Sequence, residues 1–300
     1  MAKAVYVGVN SKARKMKKAY VGISGKARKV KKMYIGVGGK ARLCYSAEAD
    51  KFGMAASLSK ARSLLAGTTV GGYALFGGGG YDSDARKGEA IMDAYNASLT
   101  RTTATPLPSN AYACAGGTVG GYAVFSGGSS MNSDSTLVET IGALEIVRAY
   151  DSSLTSSQAA PLSCPRAVHS AATIGNHLLF AGGYNSTTGK YLSTVESYDA
   201  SLTRSTAVEL SSAKNGLASA TVGEYAMFAG GYKGNSDAAY VATVDAYNTA
   251  LTKTTMPDLS VGRHGLASAV IGDYALFAGG ISKISSTADK YQDVVDVYSA

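Results

Sequence analysis

The chain has 300 residues, 46% of them apolar, with 36 Gly, three Cys and no Trp, and a formal charge of +8. No apolar run reaches the eighteen or more residues of a membrane-spanning helix, and the basic N-terminus lacks the apolar stretch of a secretory signal, so a soluble product made in the cytoplasm is expected. Cys44, Cys114 and Cys164 lie 70 and 50 residues apart with no Cys-x-x-Cys spacing, which argues against a zinc site or redox motif and predicts reduced structural thiols.

The charge is unevenly spread. Residues 1–43 hold ten Lys and three Arg and no acid, so they carry +13, and the rest of the chain carries 8 − 13 = −5. This basic arm repeats with a period of fourteen: Tyr6-Val7-Gly8-Val9 recurs as Tyr20-Val21-Gly22-Ile23 and Tyr34-Ile35-Gly36-Val37. After each comes a polar segment ending in Ala-Arg, such as Ser24-Gly25-Lys26-Ala27-Arg28, and then a return run such as Arg28 to Lys32. Aromatic and β-branched runs broken by such turns read as β-hairpins. Lone hairpins bury little apolar surface and leave edges that invite pairing. The arm, residues 1–44, is therefore expected to anchor or oligomerise the chain; nucleic-acid binding through phosphates is a weaker alternative, because the basic residues keep step with the hairpin period.

The remainder, residues 45–300, is built on a longer repeat. Its landmark reads GYALFGGGG ending at Gly80, GYAVFSGG at Gly128, NHLLFAGG at Gly183, EYAMFAGG at Gly231 and DYALFAGG at Gly280. The corresponding Phe76, Phe125, Phe180, Phe228 and Phe277 are 49, 55, 48 and 49 residues apart. A period of this length made of short β-like runs signals repeated supersecondary units. In the fourth unit, strands are expected over Leu217–Val222, Tyr225–Ala229, Val241–Tyr247 and Thr252–Leu259. Tyr95, Tyr150, Tyr198, Tyr247 and Tyr298 close the third strands, and with the Phe residues they are read as packing between units.

The segment VDAYNTALTKTTMPDLSVGRHGLASAVIGDYALFAGG resembles a Kelch motif, with Gly-Gly after a strand, a variable loop, a Tyr and an Arg-bearing linker. The resemblance spans about residues 45–300 and departs from the pattern in lacking the Trp that usually follows the Tyr; Leu99, Leu154, Leu202 and Leu251 are expected to compensate. It implies an all-β fold, a five-bladed Kelch-like β-propeller of four-stranded blades, carrying an N-terminal β-hairpin repeat arm. The last unit stops after its third strand, and residues 45–62 match the tail of a repeat, so the segment near 51–58 is expected to supply the missing outer strand beside Val294–Tyr298 and close the ring.

The loops between second and third strands share a face with the linkers between blades, and they are the longest and most variable in the chain. Beside the Gly-Gly pairs on that face stand Tyr81, Tyr184, Tyr232 and Lys233, candidate ligand-binding residues because tyrosine presents a flat surface and a hydroxyl at small entropic cost. Arg166 and Arg263 in the linkers are added as a rim for an acidic glycan. No catalytic set is recognised. The three His do not converge with other metal ligands, the Asp-box of sialidase-like propellers ends in Trp and cannot occur here, and no nucleophile elbow or phosphate loop has the required context. No metal and no cofactor are expected.

The arm's tandem units, KKAYVGISGKARKVKKMYIGVGGKAR, resemble repeats in tail and minor structural proteins of bacteriophages and prophages of Gram-positive bacteria. This implies a virion protein, such as a tail fibre, baseplate or spike component, attached through the arm to other tail proteins and forming a homo-oligomer, with a trimer favoured. The propeller would then contact a host-surface glycan or protein. An intracellular Kelch-like interaction scaffold and a carbohydrate-active enzyme are the alternatives.

Overall fold

The structure is a computed structural model that describes residues 6–9, 12–15, 20–23, 26–29, 32–37, 40–46, 55–80, 88–130, 142–234, 239–285 and 288–299, with side chains described in 55–80, 88–130, 142–234, 239–283 and 289–299. The chain divides into two compact units, Met1–Met54 and Ala55–Ala300. Every regular element among the described residues is a strand.

The first unit contains three hairpins, Tyr6–Val9 with Lys12–Lys15, Tyr20–Ile23 with Lys26–Lys29, and Lys32–Val37 with Lys40–Ser46. Val9 pairs with Lys12 and Ile23 with Lys26, so the Lys-Ala-Arg runs belong to the return strands and the connections are two residues long. Two-residue connections match the natural twist of paired strands, which is why the return begins earlier than the turn-like composition suggests.

Among the described residues the second unit holds five antiparallel sheets of three or four strands, each following chain order from inner to outer strand, and three small two-stranded ones. The first is Ala66–Val70, Tyr73–Gly77, Met92–Asn96 and Arg101–Thr103. The second is Ala115–Val119, Tyr122–Ser126, Val147–Tyr150 and Ser156–Gln158. The third is Ser170–Ile174, His177–Ala181, Val195–Tyr198 and Arg204–Ala207. The fourth is Ala218–Val222, Tyr225–Ala229, Val244–Tyr247 and Lys253–Met256, close to the expected bounds. The fifth has three strands, Ala267–Ile271, Tyr274–Ala278 and Val295–Ser299. Of the segment 51–58 expected to complete it, residues 51–54 lie outside the described residues and 55–58 carry no strand. There, Ala56 and Ser57 offer their carbonyls to Tyr95 and Arg101 of the first sheet, at 2.9 Å each.

Alternation along the strands gives each sheet two apolar faces, and each internal junction buries one of each kind. The forward face of the fourth sheet, for example, shows Ala218, Ala220, Val222, Met227, Val244 and Ala246, and packs on Ala275 and Phe277 from the rear face of the fifth. Three other clusters repeat the arrangement around Phe125, Phe180 and Phe228. Each of these Phe residues is at most 1% exposed, as is Phe277; burying such a ring is worth roughly 1.5–3 kcal/mol. Each meets its own sheet's third-strand Tyr edge-on at 5.7–5.9 Å. Each Tyr hydroxyl donates back to the preceding linker, as Tyr198 does to Ala160 O and Tyr247 to Val208 O. The role expected for the leucines holds at three places: Leu154, Leu202 and Leu251 pack against the junction clusters, each with a positive φ near 60°. Leu99 has the same backbone but is 42% exposed.

The sheets are also threaded together by backbone. Ala113 N donates to Leu64 O, Val168 N to Ala113 O, Gly216 N to Val168 O and Gly265 N to Gly216 O, all at 2.9–3.0 Å. Each bond joins the entry to one inner strand with the entry to the next.

Candidate binding face

The Gly-Gly pairs set the geometry of the loop face. In the fourth sheet Gly230 and Gly231 have φ of 69° and 120°, and a Cβ on them would stand 2.5 Å from Arg263 O and 2.9 Å from Asn215 O. Only glycine lets the chain pass that close to the neighbouring linkers. The next residue is then pinned to its own linker: Tyr232 exchanges backbone hydrogen bonds with Asn215, Tyr184 with Ala167, and Ile281 with His264. In the first sheet the residue so pinned to Ser63 is Gly80. The position equivalent to Tyr184 and Tyr232 is therefore Gly80, one residue before Tyr81, because the first repeat has Gly77 where the others have Ala or Ser. Tyr81 itself lies outside the described residues.

From the pinned positions, short hairpins rise. Tyr184–Asn185 pairs with Lys190–Tyr191, Tyr232 bridges Tyr240, and Ile281–Ser285 pairs with Ala288–Tyr291. The pairing brings rings together across three loops. Tyr184 stands 5.0 Å from Tyr191, Tyr191 5.7 Å from Tyr232, Tyr232 5.5 Å from Tyr240, and Tyr240 5.2 Å from His264. The result is a half-buried aromatic ladder crossing the third, fourth and fifth sheets. At its end the Tyr240 hydroxyl donates to Asp289 at 2.7 Å, which pushes the phenol up to about 12. Lys233 is exposed beside it, and Tyr291 projects with 82% of its surface free. The sequence singled out Tyr184 and Tyr232 but missed Tyr191, Tyr240 and His264, which join them.

Arg166 and Arg263 do not form a rim. Both are fully buried beneath the linkers, where Arg166 pairs with Glu196 at 3.0 Å and Arg263 with Asp296 at 2.8 Å. Arg62 with Asp93 and Lys214 with Asp245 are the same pair in the first and fourth sheets. The acid lies on the third strand and also accepts from a linker N–H, that of Ser59, Ser163, Ser211 or Ser260. Arg166 donates further to the carbonyls of Gly182 and Thr194. Burial draws the Arg166 and Lys214 pKa values down, while Glu196 and Asp245 oppose it. A guanidinium held this way supports the Gly-Gly turn from below and is unavailable to a ligand.

The second sheet breaks this pattern at every position at once. Arg148 stands where the sisters have the acid, Ala111 replaces the linker cation, Pro108, which has no N–H, replaces the Ser, and Ser156 stands where Arg101, Arg204 and Lys253 approach the acid in the other sheets.

The buried Ser126 hydroxyl meets His169 Nε2 at 2.8 Å, an arrangement that could suggest a nucleophile and base. Burial, with the Arg166 charge beside it, holds the His169 pKa down to about 3, and Ser126 is 1% exposed, so no substrate reaches the pair. Cys114 and Cys164 are free thiols, and burial pushes Cys114 up to about 11. Among the described residues no group of three His, Cys, Asp or Glu could hold a metal ion.

Residues 165–201 match the family model described as the Kelch motif. They run from the linker that carries Arg166 to the turn after Tyr198. Among solved structures the chain is similar to the one titled "Structure of YjhT", with a TM-score of 0.59 and 15% identity over 77% of this chain and 84% of that one. No curated protein matches. The fold is all-β and Kelch-like, of the β-propeller kind.

Proposed function

We propose that this chain is a non-enzymatic binding protein of a phage or phage-like particle, a tail fibre, baseplate or spike component. Its propeller presents the loop face to a host-surface glycan or protein, and its basic hairpin unit attaches it to other tail proteins or to further copies. A Kelch-like propeller supports a binding role of some kind. The observation that carries the assignment to this face is the Tyr184–Tyr191–Tyr232–Tyr240–His264 ladder, which draws residues from three separate loops onto one surface. Aromatic rings with hydroxyl edges suit both the apolar faces of sugars and protein anchors. The virion setting rests on the arm's resemblance to phage structural repeats.

The reading is tested by incubating labelled full-length protein with intact Gram-positive cells, with protease-treated cells and with purified cell-wall polysaccharide. Saturable binding to one or more is expected, and the treated samples separate a glycan from a protein receptor. Uniform failure across a broad panel of strains, with capture of bacterial cytosolic proteins instead, would favour the intracellular scaffold.

A further inference from the structure

One backbone position recurs at the entry to every inner strand, and the sheets fill it unequally. It is held by Leu64, Ala113, Val168, Gly216 and Gly265, which are joined by consecutive backbone hydrogen bonds, and all five have a positive φ, between 54° and 63°. Glycine takes this conformation freely, whereas a Cβ is strained in it. For a β-branched residue such as Val168 it is an outlier.

The fold itself does not call for a side chain at this place. The fourth and fifth sheets do without one, and a Cβ on Gly265 would meet no atom within 4 Å. Val168 lies at an internal junction, with Ala113 before it and Gly216 after it, and yet it is 40% exposed. It thus combines left-handed backbone strain with an exposed aliphatic group where two sister sheets use glycine. Strain that the fold does not require points to a use outside the fold.

Its surroundings indicate that use. Ala167, the residue before it, exchanges backbone hydrogen bonds with Tyr184, and Asn215, the residue before Gly216, does so with Tyr232. Val168 therefore stands on the inner side of the aromatic ladder, beside the anchor of its first ring. Lys190, Lys233, Lys290 and Asp289 are exposed on the loops that carry the ladder. Aromatic rings and an aliphatic group inside a charged rim have the anatomy of a protein–protein contact. A branched aliphatic side chain offers a glycan neither a hydrogen bond nor a flat ring. It gains instead from an apolar side chain that takes the place of water against it.

We propose that Val168 is a contact residue of the loop face, packing together with the Tyr184 and Tyr232 rings against an apolar side chain of a protein receptor. This rests on the binding role proposed for that face and narrows its ligand to a protein.

Two substitutions in the full-length chain test the contact. Val168→Gly installs the residue that the fourth and fifth sheets use, so the chemical denaturation midpoint should stay the same or rise. Val168→Asn keeps a side chain that tolerates the left-handed backbone but removes the aliphatic group. Both should weaken binding of labelled protein to intact Gram-positive cells at least tenfold, and protease treatment of the cells should abolish wild-type binding. A midpoint clearly lowered by Val168→Gly overturns the proposal, because the side chain then serves the fold. If the wild type binds and both variants bind equally well, the contact is overturned while the binding role of the face stands. Wild-type binding that survives protease treatment identifies a glycan and overturns the protein receptor. A wild type that binds no strain removes the proposed function, and this contact with it.

Discussion

The second and third sheets have the same strands and the same junction packing, yet opposite charges under their linkers. In the third, Glu196 is held by Arg166 and the Ser163 N–H, with Arg204 approaching at 3.7 Å. In the second, the acid has become Arg148, and the linker cation, the N–H and the outer-strand cation have become Ala111, Pro108 and Ser156. A buried carboxylate needs its cation and its donors, and once the charge reverses every one of them turns unfavourable. The four positions therefore change as a unit. The lesson extends to the loop face above: the linker arginines belong to the scaffold, and the aromatic rings stand on it.

The largest expected effect comes from breaking the third sheet's pair. Arg166→Met leaves Glu196 buried without its partner and should cost about 3–5 kcal/mol, read from the chemical denaturation midpoint at unchanged slope. A loss under about 1 kcal/mol would show that the pair is not buried in solution.

Converting the second sheet to the sister pattern sharpens the comparison. Ala111→Arg alone places a second cation beside Arg148 and should destabilise; combined with Arg148→Asp it should recover, with a coupling of about 1–3 kcal/mol between the two sites. Additive effects would mean that these positions do not face each other.

A smaller effect depends on pH. His169 replaces the Leu217 and Leu266 of sister sheets, and Ser126 replaces an Ala. With the folded pKa near 3, against an ordinary 6.5, the unfolded chain binds the extra proton between these values, so stability falls as pH drops from 6.5 toward 3. At pH 5 the loss relative to neutral pH is about 2 kcal/mol. Ser126→Ala with His169→Leu should flatten that part of the stability profile. Asp296 adds an acid-side loss of its own: burial is the largest single influence and opposes ionisation, but the Arg263 hydrogen bond, the two Ser260 hydrogen bonds and the Arg263 charge together outweigh it and lower the pKa, so its contribution disappears as pH falls through that lowered value.

What the sequence disclosed follows from how local each signal is. The Phe-Ala-Gly-Gly landmarks, the third-strand tyrosines and the strand bounds are fixed within a few residues of one another, and they place the sheets and their junctions. The buried pairs join residues about thirty positions apart and vary in type, Arg62 with Asp93 but Lys214 with Asp245, so Arg166 and Arg263 read as surface charge. Their recurrence four residues after Leu58, Leu162, Leu210 and Leu259 is the signal that could have found them. The ladder was half legible: Tyr184 and Tyr232 sit beside Gly-Gly, whereas Tyr191 and Tyr240 come from loops of unequal length, where no spacing rule points. Tyr81 was misaligned by the extra glycine of the first repeat.

The most direct measurement pairs binding with stability in Tyr184→Ala/Tyr232→Ala. These rings are half-buried, each packed on Tyr191, and Tyr232 also on Tyr240 and His264, so their removal should lower the thermal stability by about 1 kcal/mol or less. On the proposed function, binding of the full-length protein to bacterial cells should be lost. Retained binding, or a collapse of the thermal transition in place of a binding defect, would contradict the account and return these tyrosines to the scaffold.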